Sequence, residues 1–323
     1  MAQKTVQKEI QSHFGINHIL AHKVAKHADP DRLLESSQQF LDNKPKPFVK
    51  WVGGKRQLLT QFRELGLYPP EHFNPSKNKY FEPFVGGGAV FFDLLPEHAL
   101  LSDLNNELVT TYNVIKNDVE ALIKSLKKQE VNLEVFLKMR AKEVAKLSDL
   151  QIATRFIFLN KTCFNGMFRV NSMGQFNVPF AYPKNPLICD AENLRDVSRV
   201  LQDVVVRHQD YKKAVKHAKK GDFIYFDPPY HPMSDTSSFT SYTKEAFGEK
   251  EQLELRDTFI ELHKRGCFVM LSNSNAPFIN KIYSEIKDKK VRITHVAASR
   301  AINSVGSGRG KIKEVLITNY QFD

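Results

Sequence analysis

No stretch of this sequence approaches the roughly 18 consecutive apolar residues that a bilayer-spanning helix needs. A transmembrane segment is therefore not expected. Nor is export, because Met-Ala-Gln-Lys-Thr-Val-Gln-Lys at the start has no apolar signal core, and the cytoplasm is the expected location. Cysteine is scarce: Cys163, Cys189 and Cys267 lie far apart, in neither the paired spacing of a zinc site nor the even number of a disulfide scaffold. They read as isolated thiols in or near the core, and no metal site is expected. Also missing are the glycine fingerprint of dinucleotide-binding folds and the lysine-bearing phosphate loop of Walker-type nucleotidases.

Positive charge, by contrast, is plentiful. The formal net charge is +11, and it is concentrated: residues 150–220 hold twelve Lys/Arg against five Asp/Glu, and residues 286–313 hold eight against one. Two basic segments of this kind suit a polyanion, since each phosphate contact releases condensed counterions. A solvated lysine-rich surface is the competing reading. Hydrophobic residues at 41% and charged residues at 26% are ordinary for a globular chain, and 323 residues suffice for one large α/β domain with an insertion, or for two domains.

Along the chain, residues 1–44 carry apolar side chains at loosely helical spacing (Ile10, Phe14, Ile19, Leu20, Val24, then Leu33, Leu34, Phe40, Leu41) and predict two or three short helices. Lys44-Pro45-Lys46-Pro47 breaks that pattern as a linker, because a residue before proline is pushed towards extended backbone. The boundaries expected are a helical extension over 1–46, a catalytic domain over 47–110 and 200–323, and an insertion over 111–199. Phe48 to Arg56 places a glycine pair and Lys55 ahead of a helix containing Leu58, Leu59, Phe62 and Leu65. Tyr80 to Phe91 reads as strand, glycine-rich turn (Gly86-Gly87-Gly88) and helix, the order of a nucleotide-binding βα unit. A second strand, Ala99 to Ser102, ends on Asp103, where such folds place an acceptor for ribose hydroxyls; an ordinary helix-capping role competes for that residue. After a polar-aromatic stretch from Asn160 to Asn171, strands are expected at 204–208, 223–226 and 267–272, a helix around 249–265, and closing strands near 291–296 and 315–320.

The tetrapeptide Asp227-Pro228-Pro229-Tyr230 follows the apolar strand Phe223-Ile224-Tyr225-Phe226. Two prolines remove two backbone donors and fix φ, so the sheet stops there and a carboxylate, a carbonyl and an aromatic ring are held together. A flat ring bearing an amino group suits such a pocket.

Lys50-Trp51-Val52-Gly53-Gly54-Lys55, Phe81-Glu82-Pro83-Phe84-Val85-Gly86-Gly87-Gly88, Asp103 and Asp227-Pro228-Pro229-Tyr230, in that order, closely resemble the DNA adenine-N6 methyltransferases of the Dam type, over about residues 47–321. The resemblance implies an α/β, doubly wound, seven-stranded S-adenosylmethionine-dependent methyltransferase core with an inserted, mostly helical target-recognition domain. It implies an enzyme that methylates an adenine flipped out of double-stranded DNA. Asp227, Pro228, Pro229 and Tyr230 would form the catalytic set: the Asp227 carboxylate and the Pro228 carbonyl accept both amino hydrogens, and Tyr230 stacks on the base. S-adenosylmethionine would be held by Trp51, Lys55, Phe84, Gly86, Asp103 and Asp227, with Asp210 at the end of the third strand as a further contact.

Segment 159–180 is similar to the family's target-recognition region, which implies a GATC-type site. Arg169 is the candidate reader of guanine, through the bidentate bond arginine makes to O6 and N7; a phosphate clamp is the plainer alternative. Lys50 is a second candidate. Phe164 and Asn165 resemble the pair that the family places near the orphaned partner base and the phosphates, although the family often has tyrosine where Phe164 stands; a core aromatic is the plainer alternative for Phe164. Arg309 and Lys311, in the glycine-rich basic loop 303–311, are expected to track the DNA backbone, with the loop mobile when no DNA is present. A monomer is the expected working unit. Cytosine-N4 methylation poses the same chemical problem, but aspartate rather than serine at position 227 favours adenine. No Pro-Cys dipeptide is present to supply the nucleophile that cytosine C5 methylation needs. An RNA substrate and a non-catalytic nucleic-acid-binding relative remain as alternatives.

Overall fold

The computed structural model describes residues 2–14, 16, 18–232, 247–299 and 311–320. Seven strands form one sheet in the order β3-β2-β1-β4-β5-β7-β6: β1 Tyr80–Glu82, β2 Ala99–Asp103, β3 Val204–His208, β4 Phe223–Phe226, β5 Phe268–Ser274, β6 Arg292–Ser299 and β7 Lys311–Thr318. The pairings from β3 through β5 are all parallel, while β7 runs antiparallel between β5 and β6. Every strand expected from the sequence is present. This is the doubly wound sheet inferred for a methyltransferase core.

Burial on both faces explains why β4 is apolar at every position, as parallel strands covered by helices must be. Alternation sends Phe223 and Tyr225 to one core and Ile224 and Phe226 to the other. Thirteen helices accompany the strands among the described residues: α1 Ala2–Phe14, α2 His18–His27, α3 Leu33–Asp42, α4 Arg56–Glu64, α5 Ala89–Leu94, α6 Asn106–Asn117, α7 Val119–Lys127, α8 Leu133–Ala141, α9 Asp149–Thr162, α10 Ala191–Leu201, α11 Tyr211–Val215, α12 Glu249–Lys264 and α13 Pro277–Ser284. Residues of α11, α12 and α13 fill the core containing Ile224 and Phe226, whereas residues of α1, α2 and α4 to α10 fill the other.

The boundary expected at 110 falls inside α6, which packs on β2 and β3 and also on α9. Helix α9 begins at a capping box formed by Ser148 and Gln151. It is tied to α6 by a buried ion pair, Arg155 Nη1 to Glu107 Oε2 at 2.6 Å. The remaining Arg155 donors do not go unmet, because Nε and Nη2 donate to the carbonyls of Met139 and Arg140 at 2.9 and 3.3 Å. The insertion is thereby locked to the sheet rather than loosely appended.

The extension forms three helices, as its periodicity implies. Ile10, Ile19, Leu20, Ala21 and Val24 are buried in the same core as the sheet face. His18 bonds the Phe73 carbonyl at 2.9 Å, and Glu97 pairs with Lys26 at 2.8 Å and with His22. The linker is anchored too: the Lys46 amide donates to Asn193 Oδ1 at 2.8 Å, and Asn193 returns a bond to the Lys46 carbonyl at 3.0 Å. No helix among the described residues is long and apolar enough to cross a membrane.

Candidate active site

Strand order reverses between β1 and β4, the switch point where open parallel sheets leave a crevice beyond their carboxyl ends. The glycine turn leaves β1 there and Asp227 leaves β4. Lys55 caps the start of α4 and is buried, 3% exposed. Its Nζ lies 2.8 Å from Asp227 Oδ1 and 4.9 Å from the centre of the Tyr230 ring, and it donates to the Gly53 carbonyl. A carboxylate, an ammonium and an aromatic face from two distant segments thus share one crevice.

Their protonation follows from burial. Desolvation raises the Asp227 carboxyl above the usual carboxylate range; the Lys55 charge opposes that rise, and Glu314 adds to it. Burial, with the Asp227 and Glu314 charges, pushes the Tyr230 phenol well up, so it keeps its proton and donates to Glu314 Oε2 at 2.7 Å. Behind the tetrapeptide, Gln252 Nε2 donates to the Pro229 carbonyl at 3.0 Å, and Asn273 Nδ2 fixes Gln252 Oε1 at 2.9 Å. Asn273 Oδ1 accepts from the His231 and Ser274 amides at 3.2 and 2.8 Å. Gln252 thus fixes the Pro229 carbonyl, and Asn273 orients Gln252 and holds the His231 amide just beyond the tetrapeptide.

The second wall is the glycine turn. Gly86 has φ of +47°, and a Cβ there would lie 2.5 Å from Cδ1 and Nε1 of Trp51, so the indole rests directly on the turn. Asp103, at the end of β2, accepts from the Gly86 amide at 3.0 Å and the Asn105 amide at 2.9 Å. The cap of α6 is Asn105, whose side chain accepts from the Leu108 amide, so Asp103 binds the turn instead of capping. Burial raises the Asp103 carboxyl, and these amides offset part of that. Phe84 projects from the same turn, half-buried, with its ring stacked on Tyr211 at 5.5 Å and edge-on to Phe247 at 5.8 Å. Asp210 caps α11, accepting from the Lys213 amide at 3.0 Å.

Trp51 continues towards the insertion, stacking on Phe168 at 6.5 Å. Asn160, from the last turn of α9, accepts from the Lys50 amide at 2.9 Å and donates to the carbonyls of Lys50 and Gly166, both at 2.8 Å. Gly166 has φ of +65°, and a Cβ there would meet the Lys50 side chain at 2.5 Å. Residues 50 and 51 are therefore wedged between the glycine turn and segment 159–180.

Within that segment, bridges pair Cys163 with Phe180 and Val170 with Phe176, making a hairpin-like loop. Phe164, 49% exposed, points outward rather than into the core, beside Asn165 at φ of +55°. Arg169 is half-buried: Nε donates to Asn177 Oδ1 at 2.7 Å and Nη2 to the Asn177 carbonyl at 3.4 Å. Lys50 is exposed. Arg309 lies outside the described residues, as does the loop expected to be mobile; Lys311 is described only as the first residue of β7.

Trp51, Lys55, Phe84, Gly86, Asp103, Asp227 and Tyr230 thus come together at one edge of the sheet, and Asp210 lies nearby in a capping role. No motif singles out Glu314, Gln252 or Asn273, which reach the tetrapeptide from later elements. Asn177 was legible only as part of the recognition segment.

A family model for the D12 class N6 adenine-specific DNA methyltransferases matches residues 51–302. The chain is 42% identical to the type II methyltransferase M1.LlaDCHI of Lactococcus lactis subsp. cremoris over 283 residues, covering 85% of this chain and 95% of that protein. It is 42% identical to the type II methyltransferase M.MjaIII of Methanocaldococcus jannaschii over 293 residues, 85% of this chain and 99% of the relative. With the DNA adenine methylase of Escherichia coli K12 it shares 30% identity over 277 residues, 84% and 95% of the two chains. A switch-point crevice carrying Asp227-Pro228-Pro229-Tyr230 and a glycine turn, in a chain that matches these relatives over nearly their full lengths, places the protein in the D12 class of N6 adenine-specific DNA methyltransferases.

Proposed function

We propose that this enzyme transfers a methyl group from S-adenosylmethionine to N6 of an adenine rotated out of duplex DNA, at a short site of the GATC type. The observation that carries the reading is the Lys55–Asp227–Tyr230 cluster facing the Trp51–Gly86 turn. The crevice suits the cofactor's chemistry: the half-buried Phe84 ring offers an apolar face, and the Asp103 and Asp227 carboxylates offer hydroxyl acceptors and a counter-charge. When bound, S-adenosylmethionine supplies an electrophilic methyl on a positively charged sulfur.

The chain's own residues do the rest. The adenine amino nitrogen is a poor nucleophile because its lone pair is delocalised into the ring. Asp227 and the Pro228 carbonyl accept its two hydrogens, which favours a pyramidal nitrogen with a localised pair aimed at the methyl. Positive charge develops on that nitrogen opposite a carboxylate already in place, so little reorganisation is needed, and loss of one amino proton to solvent then leaves neutral N6-methyladenine. Tyr230 stacks on the extruded base and offsets part of the few kcal/mol of unstacking. Gln252, on the Pro229 carbonyl, keeps the tetrapeptide from shifting as the base enters.

On the DNA side, Arg169 reads guanine, and Phe164 with Asn165 lies near the orphaned partner base and the phosphates. Lys50 is a second base-reading candidate, and Arg309 and Lys311 contact the backbone. The substrate is the double-stranded DNA of a prokaryotic cell or an infecting phage, methylated in the cytoplasm, with one chain as the working unit. Incubation with labelled cofactor and duplexes of varied sequence should yield N6-methyladenine within GATC; label in cytosine, or in adenine regardless of context, would refute the base or the site.

A further inference from the structure

The Tyr230 ring is fixed from several sides. Its backbone is held through Pro229 by Gln252 at 3.0 Å, the Lys55 ammonium lies 4.9 Å from its centre, and its hydroxyl donates to Glu314 Oε2 at 2.7 Å. Of these partners, Glu314 alone grips the far end of the ring, and it comes from a strand 84 residues downstream. We propose that Glu314 is a positioning residue for methyl transfer, whose carboxylate sets, through the Tyr230 hydroxyl, the plane of the ring on which the target base stacks. The inference rests on the reading of Tyr230 as the base's stacking partner.

Topology explains how so distant a residue arrives there. β7 runs antiparallel to β5, so its opening residues lie at the edge where the parallel strands end and the tetrapeptide begins. Glu314 is paired with Ser274 of β5 and Val296 of β6, and Val315 and Leu316 behind it are buried. Its backbone is therefore rigid. Ser274 belongs to the same support, since its hydroxyl donates to the His231 carbonyl at 2.6 Å, one residue beyond Tyr230.

Such a bond has a physical purpose beyond joining two segments. An untethered tyrosine has two soft torsions, and ordering them when a base arrives would subtract from the stacking energy. A phenol that keeps its proton and meets a carboxylate forms the stronger, charge-assisted kind of bond, so the ring is ordered beforehand. The Glu314 charge also raises the Asp227 carboxyl, which makes hydrogen bond and charge separable by substitution.

The test combines Glu314→Ala, Glu314→Gln, Tyr230→Phe, Tyr230→Ala and the double variant Tyr230→Phe/Glu314→Ala. Each is assayed for melting temperature, S-adenosylmethionine affinity by calorimetry, kcat and DNA KM, and the fluorescence of 2-aminopurine at the target position. Glu314→Ala should lose about thirtyfold in kcat, the scale of one hydrogen bond to a charged group, with cofactor affinity and melting temperature held. The probe should brighten as its stack loosens. Glu314→Gln retains a neutral acceptor, roughly half as strong, and should recover about fivefold of the thirtyfold loss, while Glu314→Ala should add nothing in the Tyr230→Phe background. Wild-type kcat in Glu314→Ala, a loss fully additive to Tyr230→Phe, or a loss tracking melting temperature would overturn the proposal. Full turnover in Tyr230→Ala would refute the stacking role itself, whereas an inactive Tyr230→Ala beside an active Glu314→Ala would refute the Glu314 role alone.

Discussion

Glutamate 82 closes β1 directly behind the glycine turn and is 2% exposed. Its Oε2 accepts from the Tyr80 hydroxyl at 2.8 Å and from the Phe91 amide at 3.0 Å. Burial dominates its titration and, with the Asp227 charge, outweighs those bonds and Lys55, lifting the carboxyl from 4.5 to about 8. At neutral pH the folded protein therefore holds Glu82 protonated, while the unfolded chain ionises it. Because the folded value lies above the unfolded one, the stability linked to this group is complete below 4.5 and is lost as pH rises through about 8. The slope between those limits approaches about 1.4 kcal/mol per pH unit. Glu82→Gln keeps an oxygen for both donors and removes the titration. Urea unfolding of both proteins at several pH values should show the variant gaining on wild type by up to about 1.4 kcal/mol per unit from about pH 5, with the difference flattening above about pH 8. A difference independent of pH, or one that grows towards acid, would refute the assignment.

Three further substitutions, at two positions, probe the crevice and the loop around Arg169. Lys55→Met should cost about 3 kcal/mol, because it leaves the buried Asp227 carboxylate without its 2.8 Å partner. Removing the cation that lowers the Asp227 carboxyl should also move the acid limb of the pH–rate profile to higher pH; an unmoved limb would show that Asp227 does not set it. With Arg169 as the proposed guanine reader, Asn177→Ala should free it and reduce discrimination at that base by about tenfold, measured as a ratio of kcat/KM between duplexes. Asn177→Asp, which keeps the acceptor, should restore most of that ratio, and equal specificity in all three proteins would show that Arg169 needs no such support.

The parallel strands were legible because most are short apolar runs beside Gly, Pro, Asp or Asn; all seven strands formed, but β7 starts at Lys311, four residues before the expected 315, because its opening Lys-Ile-Lys-Glu carries too much charge to read as an apolar run. The walls of the crevice were legible for a related reason: Gly86, the proline pair and strand-end aspartates are backbone-determined features that leave a local mark. Helices α11 and α13 escaped notice because five and eight residues carry too little periodicity. Glu314, Gln252 and Asn273 escaped because their role exists only through pairing across the sheet, which no local spacing encodes. Asp103 shows the limit from the other side. Its strand-end position was evident, but its hold on the Gly86 amide, rather than on the α6 cap, emerges only once β1 and β2 lie side by side.

Asp227 is proposed to prepare the adenine nitrogen and to face the charge formed there. Single-turnover methylation by Asp227→Ala, with duplex affinity and cofactor affinity measured on the same preparation, tests it most directly. DNA binding should persist while N6-methyladenine formation falls by several orders of magnitude, on the scale expected when a preorganised charge is removed from a water-poor site. Substantial methylation by the bound variant would contradict the mechanism.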